Sequence, residues 1–356
     1  MPLDPRRNPR LITALELLAP GSELRLGIDD IIKGHLGALL VIADRDEIQP
    51  LVSGGLELNT AFTPQMLYEL AKMDGAILLD ADLSHILAAN VHLMPDASIP
   101  TSETGTRHRT AERVSRQIGV IVVSISQERD TVNVYTGGAR YQLESISELL
   151  AKATQGLQTL KNHCAQLSRG ADDLTLHELR GNVTIGDVLM VLQRSEMAAR
   201  MIGEVGRNVV ELGLEGRLVA MQLGEMSEGV PEERIATIRD YRNRDATDSE
   251  QDVLERLRVL THSDLVAVRP LAEALGYTGG ASKRGSLRPL GYRALAGIAH
   301  LNDADADRII AAFLSFDALM RATLRELSAV EGIAPVLAAD VQQGLRRLQD
   351  RMLSQP

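Results

Sequence analysis

Three short segments carry residue types able to handle an anionic ligand. The most unusual is Thr101-Ser102-Glu103-Thr104-Gly105-Thr106-Arg107-His108-Arg109-Thr110. Its small hydroxyl residues and Gly105 let the backbone approach a ligand closely, and two arginines flank a histidine. Ala111, Glu112, Arg113 and Val114 then propagate a helix. Guanidinium groups beside a helix amino terminus make an anion site, with N–H donors, a favourable dipole and bidentate forks suited to phosphate. The same residues also read as an ordinary helix start, capped by Thr106 or Thr110, with both arginines solvated. Asp74-Gly75-Ala76 lies between an amphipathic segment, Pro64 to Met73, and a β-rich run, Ala76 to Leu79. A carboxylate at a strand mouth can hold a divalent cation or accept a hydroxyl proton, while glycine lets a nucleotide lie against the backbone. Its plain reading is a helix-ending turn in which Gly75 takes a positive φ and Asp74 faces water. Gly37-Ala38-Leu39-Leu40-Val41-Ile42 reads as a core strand, and Ser53-Gly54-Gly55 as a turn.

Other signatures are absent. The chain holds no GxxxxGK(S/T) phosphate loop, no GxGxxG fingerprint, no HExxH and no paired CxxC. Its one cysteine, Cys164, can neither close an internal disulfide nor build a zinc site alone. It reads as a packed thiol in a reduced, intracellular chain. His163, His177 and His262 are too scattered for metal-ligand spacing.

These segments need a framework. Leu11, Ile12, Leu15 and Leu18 recur at helical spacing, as do Ile28, Ile31 and Ile32. Short β-rich runs follow at Ala38–Ala43, Ala76–Leu79, Val91–Met94, Val120–Ser124 and Val132–Tyr135. One helix is expected near Pro64, a good first-turn residue after Thr63, and another near Thr110. Helices alternating with nearly apolar strands imply an α/β domain built on a largely buried sheet. From Ser145 to about Thr278 the strand signal fades. Leu149, Ala153, Leu157, Leu160 and Leu167 form one helical stripe, and Ile185 to Met201 form a second. The eleven methionines suit packing in such a bundle. Beyond Leu287 the pattern is again helical, broken near Asn302 and at Gly332-Ile333-Ala334.

The 356 residues suffice for two or three domains. Hydrophobic residues are 44% and charged residues 24%, which excludes global disorder, and with 3% aromatics and no tryptophan the cores must rest on Leu, Ile, Val and Ala. A net charge of −10 excludes a chain that coats nucleic acid along its whole length. The balance is uneven: −7 over residues 1–150, −5 over 151–280 and +2 over 281–356. A less acidic tail reached through residues 279–286 (GGASKRGS) suggests a module on a flexible tether. The longest apolar run, Leu36 to Ala43, is strand-sized, and Glu16 and Pro20 break the segment that follows the basic amino terminus. A soluble cytoplasmic protein is expected.

Taken in order, Gly37-Ala38-Leu39, Asp74-Gly75-Ala76 and Gly105-Thr106-Arg107-His108-Arg109-Thr110 resemble the catalytic domain of the diadenylate cyclases. Enzymes of that family join two ATP molecules into cyclic di-AMP and release pyrophosphate. With a helical middle and a helix-hairpin-helix tail, essentially the whole chain resembles the DNA-integrity scanning branch of the family. The resemblance implies an α/β cyclase domain over 1–144 (a mixed sheet flanked by helices). An all-α scaffold over 145–286 and a small helix-hairpin-helix domain over 287–356 complete it. It implies that Asp74 works with Mg2+ or Mn2+ and the attacking 3′-hydroxyl, while Gly75 and Ala76 lie against the nucleotide. Leu93 corresponds to an adenosine-contacting position. Gly105, Thr106, Arg107, His108, Arg109 and Thr110 would form the phosphate loop, with Ser126 in the same pocket. Asp74, Arg107, His108 and Arg109 are the expected catalytic residues. His108 would bond a phosphate or buttress the loop; both readings stand. The expected partners are ATP, cyclic di-AMP and further copies of the chain, in the family an octamer whose cyclase domains face each other.

In the tail, Glu331-Gly332-Ile333-Ala334-Pro335 and the helix Val336 to Arg347 suggest a hairpin that meets DNA phosphates, with Gly332, Arg346 and Arg347 as contacts. Ala334 stands where such hairpins often carry a second glycine, and Pro335 removes a donor. The earlier candidate, Leu301 to Asp307, is acidic where phosphate would sit. Branched DNA is the expected partner, bound weakly and with strong salt dependence. A catalytically silent nucleotide- or DNA-binding sensor and a DNA-binding scaffold are the alternatives. Asp74 argues against the first, because a passive phosphate site gains nothing from an unscreened carboxylate. The acidic net charge and altered hairpins argue against the second.

Overall fold

The structure is a computed structural model that describes residues 9–128, 131–244, 249–277 and 287–353. Residues 1–8 and the whole of 279–286 therefore lie outside the described residues. The chain divides into two compact units. The first holds the chain up to Gln155 together with Glu204–Met221; the second holds Gly156–Gly203 and Gln222 onward.

The first unit is a three-layer α/β structure. Its elements are α1 (Pro9–Leu17), α2 (Glu23–Lys33), β1 (Ala38–Ile42), α3 (Arg45–Ile48), β2 (Val52–Ser53), β3 (Leu56–Ala61), α4 (Pro64–Leu70), β4 (Ala76–Leu79), β5 (His85–Leu93), α5 (Thr106–Ile118), β6 (Ile121–Ser126), β7 (Thr131–Thr136) and β8 (Ala139–Gln142). The strands lie in the order β2-β5-β4-β1-β6-β7-β8, with β3 also on β5. Among the described residues only the β1–β4 pair is parallel, so the sheet is mixed, as expected. The nearly apolar runs become the central strands: every residue of β1 and β4 is buried. Leu40, Ile42, Ile77, Leu79, Val123 and Ile125 face α1, α2 and α4. Leu39, Val41, Ala76, Leu78, Val122 and Tyr135 face α5. Burying each large side chain stabilises the fold by about 1.5–3 kcal/mol. Thr63 caps α4 by accepting from the Met66 N–H, and Pro64 opens it.

The sequence pattern falls short at the sheet's edges. β5 begins at His85 rather than Val91, because Asn90 at φ +53° and two register shifts against β4 interrupt its alternation. β3 escapes notice because almost all of it is exposed: it is held by its ladder to β5 and not by a buried face. β2 and β8, of two and four residues, are too short for any period to show.

The second unit is helical. Its elements are α6 (Ile146–Arg180, whose first ten residues group with the first unit), α7 (Ile185–Leu212, whose last nine do), α8 (Arg217–Ser227, shared likewise), α9 (Val230–Tyr241), α10 (Glu250–Val259), α11 (His262–Val266), α12 (Val268–Ala274), α13 (Tyr292–Ala296), α14 (Asp303–Phe313), α15 (Phe316–Met320), α16 (Leu324–Ser328) and α17 (Pro335–Leu353). Within this unit residues 287–353 pack against the middle helices. Asp240 on α9 accepts the backbone N–H groups of Leu290, Gly291, Tyr292 and Arg293 at 2.7–3.0 Å. The buried Arg293 guanidinium reaches Glu178 and Glu233, each at 2.6 Å. Burial pushes the Glu178 carboxyl up to about 7 despite Arg293. Cys164 is half-buried and its thiol donates to the Met226 carbonyl.

Candidate active site at the α5 end of the sheet

Strand register determines which motifs meet. Leu39 pairs with Ala76 across the parallel β1–β4 ladder, so Gly37, just before β1, and Asp74, two residues before β4, lie at the same end of the sheet. Neighbouring strands lie about 5 Å apart. Ala38 pairs with Ile125 across β1–β6, which brings Ser126 beside Gly37. Ala76 pairs with Val91, and Leu93 pairs with Val52, so Leu93 belongs to the same end. Motifs spread over ninety residues thus converge at one end of the sheet. Asp74 is exposed there, Gly75, Leu93 and Ser126 are half-buried, and Ala76 is buried.

Helix α5 brings the arginines to that end. It starts at Thr106, four residues before the expected start, so the Arg-His-Arg segment forms its first turn instead of a preceding loop. Gly105 is the N-cap, and neither Thr106 nor Thr110 caps the helix. With no side-chain cap and no acidic residue in the first turn, the amino-terminal N–H groups and the helix dipole favour an anion. The Arg107 guanidinium folds back over the sheet and donates to the Ile125 carbonyl at 3.4 Å. It rests on Gly37, where an added Cβ would fall 2.1 Å from Nη1. Gly37 therefore creates the seat for Arg107, a role its sequence context as the start of a core strand did not reveal. Arg109 and Thr106 are exposed and Thr110 is half-buried.

Gly75 answers to a different neighbour. At φ +92° its missing Cβ would sit 2.9 Å from the backbone of Asn90 and Val91, so β5 itself requires glycine there. The expected helix-ending turn is present, and Asp74 faces outward from it.

The segment between β5 and α5 is strapped along the helix. Buried Glu112 accepts from the Thr101 hydroxyl and from the Ser102 N–H, and pairs with Arg116 at 2.6 Å. Arg113 donates to the carbonyls of Ala97 and Ile99, both at 2.9 Å, and Arg116 to that of Pro100. Glu112, Arg113 and Arg116 recur at the spacing of one helix face, a signal that could have been read from the sequence. His108 Nδ1 lies 3.0 Å from the Tyr135 hydroxyl, which donates to Glu103 at 3.0 Å. Arg140 pairs with the same Glu103 oxygen at 2.9 Å. Burial foremost, then the Glu103 charge, pushes the Tyr135 hydroxyl far above its usual pKa.

Among the described residues no three His, Cys, Asp or Glu side chains cluster into a metal cage. Asp74 offers a single outward carboxylate. One carboxylate completed by nucleotide phosphates and water is a donor set that Mg2+ takes readily, so Asp74 fits a Mg2+ or Mn2+ ion that arrives with the nucleotide. The tail residues do not converge on one spot. Gly332 forms an exposed turn at φ +81°, whereas Arg346 and Arg347 lie further along α17, roughly 17 Å from its start at 1.5 Å per residue. Arg308 Nη1 donates to the Gly332 carbonyl at 3.3 Å. A cleft of about 710 Å³ in the second unit has Arg293, His300, Arg347 and Arg351 on its walls beside Asp172 and Asp340. Its charges are mixed.

Comparison with known proteins matches two consecutive regions of the chain to family models. Residues 25–140 match the family described as DisA bacterial checkpoint controller nucleotide-binding, and residues 143–284 the DisA bacterial checkpoint controller linker region. The DNA integrity scanning protein DisA of Clostridium botulinum strain 657 is 41% identical over 98% of both chains. The protein of the same name from Acetivibrio thermocellus is 41% identical over 98% of this chain and 97% of its own, and that from Bacillus cereus strain B4264 is 40% identical over the same shares. Among the described residues no helix is long and apolar enough to cross a membrane. With both consecutive regions matched and relatives aligned from end to end, the chain belongs to the DisA family and is a diadenylate cyclase, a nucleotidyltransferase.

Proposed function

We propose that this chain condenses two ATP into cyclic di-AMP and two pyrophosphates at the α5 end of its sheet, with Asp74, Arg107, His108 and Arg109 as catalytic residues. The observation that best supports this reading is the seating of the Arg107 guanidinium on Gly37, at the end of the sheet where Asp74 precedes β4.

In each half-reaction a 3′-oxygen bonds to the α-phosphorus of the other nucleotide, the bond to pyrophosphate breaks, and the hydroxyl gives up its proton. Negative charge grows on the non-bridging and leaving oxygens. Arg107 and Arg109 offset that charge, together with the α5 N–H groups, in a geometry already set before the reaction. Asp74 accepts a hydrogen bond from the attacking hydroxyl and would hold Mg2+ or Mn2+. That cation, when bound, neutralises phosphate charge as a Lewis acid. Gly105, Thr106, Thr110 and Ser126 line the phosphates, Gly75 and Ala76 the backbone side, and Leu93 the adenosine.

Two nucleotides must meet head to tail, each offering a hydroxyl and accepting an attack. The site accordingly works as half of a pair, closed by the cyclase domain of a second copy; the exposure of Asp74, Gly105, Thr106 and Arg109 supports an open half-site. An octamer built by the 145–286 scaffold satisfies this, with cyclase domains 1–144 facing each other. The protein works in the cytoplasm, where ATP is supplied. Tail residues 287–356 contact branched DNA through the Gly332 turn, Arg346 and Arg347, and so regulate turnover; the outward turn and the exposure of all three residues support it.

The test is incubation with ATP and Mg2+ or Mn2+. Wild type is expected to yield cyclic di-AMP, and Asp74→Asn to yield none while its oligomers persist. No product from wild type overturns the reading, and full activity in Asp74→Asn removes Asp74 from it.

A further inference from the structure

We infer that Tyr135 and Glu103 are positioning residues that fix His108 as the Nδ1–H form and aim its other ring edge at the bound nucleotide. The inference deepens the cyclase reading of this site and rests on it.

Proton counting on a three-member chain carries the argument. Glu103, paired with Arg140 at 2.9 Å, can only accept. The Tyr135 hydroxyl has one proton and donates it to Glu103 at 3.0 Å. Its oxygen is then left as an acceptor, so the 3.0 Å contact with His108 Nδ1 requires the proton to sit on the imidazole. Tyr135 is fully buried beneath α5, its ring centroid 6.4 Å from that of His108. The hydroxyl is therefore shielded from bulk solvent. The opposite ring edge faces the helix mouth: a Cβ on Gly105 would lie 3.4 Å from His108 Cδ2, the atom next to Nε2. Nε2 thus belongs to the end of α5 where phosphate is expected. With the proton on Nδ1, Nε2 carries the ring lone pair, and it donates to a phosphate oxygen only when the imidazole is protonated there as well. This chain decides between the two roles that the sequence leaves to His108.

Two measurements test it on the full-length protein. Tyr135→Phe removes one oxygen and is expected to lower kcat about 10- to 100-fold with little change in the KM for ATP. In a His108→Ala background the same change is expected to add nothing, because Tyr135 acts through that ring. A merely structural Tyr135 would instead lower activity equally in both backgrounds. Glu103→Gln, which keeps an acceptor for the hydroxyl, is expected to retain more kcat than Glu103→Ala. Separately, magic-angle-spinning NMR of 15N-histidine protein without nucleotide is expected to show Nδ1 of His108 protonated in wild type and altered in Tyr135→Phe. Wild-type kcat in Tyr135→Phe, additive losses with His108→Ala, or an unprotonated Nδ1 in wild type would each overturn the inference. The ring signal needs no turnover, so it still decides the inference if wild type makes no cyclic di-AMP, a result that sinks the cyclase reading alone.

Discussion

At the scale of single residues the site is a matter of seats and tethers. Arg107 reaches the sheet end only because position 37 has no side chain. Gly37→Ala puts a methyl group on the guanidinium and is expected to cut cyclic di-AMP formation about 100-fold. The cause would be displacement of Arg107, not unfolding, so the melting temperature should stay close to wild type. An unchanged rate would show that Arg107 works from another position. Glu112 is the corresponding tether: one buried carboxylate holds Thr101, Ser102 and Arg116. Glu112→Ala is expected to destabilise the first unit by about 1–3 kcal/mol, the penalty for leaving its buried partners unsatisfied. Denaturant unfolding would measure this, and a wild-type midpoint would remove Glu112 from the scaffold. Of these residues the sequence exposed Asp74 and the Arg-His-Arg turn, because their types are unusual at their spacing. It concealed the roles of Gly37, Glu103 and Tyr135, because these come from side chains that approach from other strands or turns.

At the scale of elements, legibility follows burial. β1 and β4 are apolar throughout and could be found from composition, since parallel central strands are covered on both faces. β3 has no buried face, and bulges disturb β5, so neither kept a period to read. α5 starts ahead of the expected residue because Thr, Arg and His carry no apolar stripe; the first buried positions, Ala111 and Glu112, come one turn further on. In the second unit the link between α13 and the middle helices runs through ionisable groups, which hydrophobic periodicity cannot reveal. That link titrates. Burial raises the Glu178 carboxyl from 4.5 to about 7, so its contribution to stability is complete below about pH 4.5 and is lost as pH rises towards 7. Buried Asp240 shifts in the same direction. The melting temperature of the helical unit is expected to fall between pH 5 and about 7.5, and to fall less in Glu178→Gln. An identical pH profile in that variant would contradict the assignment.

At the scale of the whole molecule, the proposed reaction needs two nucleotides brought together, which two copies of one open site would do. Specific activity per protomer is therefore expected to drop on dilution below the assembly threshold, and constant activity down to isolated protomers would refute the facing arrangement. The anchoring of α13 also changes how the tail should be tested. Deleting residues from 287 onward would strip Arg293 from the buried Glu178 and would confound regulation with misfolding. Arg346→Glu with Arg347→Glu leaves that anchor intact. The pair is expected to preserve basal turnover and abolish any response to branched DNA, whereas an undiminished response would clear both arginines of the role. The central claim, that Asp74 and Arg107 flank one triphosphate, is tested most directly by diffraction from crystals grown with 3′-deoxyATP and Mg2+, because that analogue lacks the attacking hydroxyl. The expected density shows a triphosphate bonded to the Arg107 guanidinium, a cation between it and Asp74, and a second nucleotide held by the facing protomer. A nucleotide bound elsewhere on the chain, or one that contacts Arg107 with Asp74 turned away, would contradict the account.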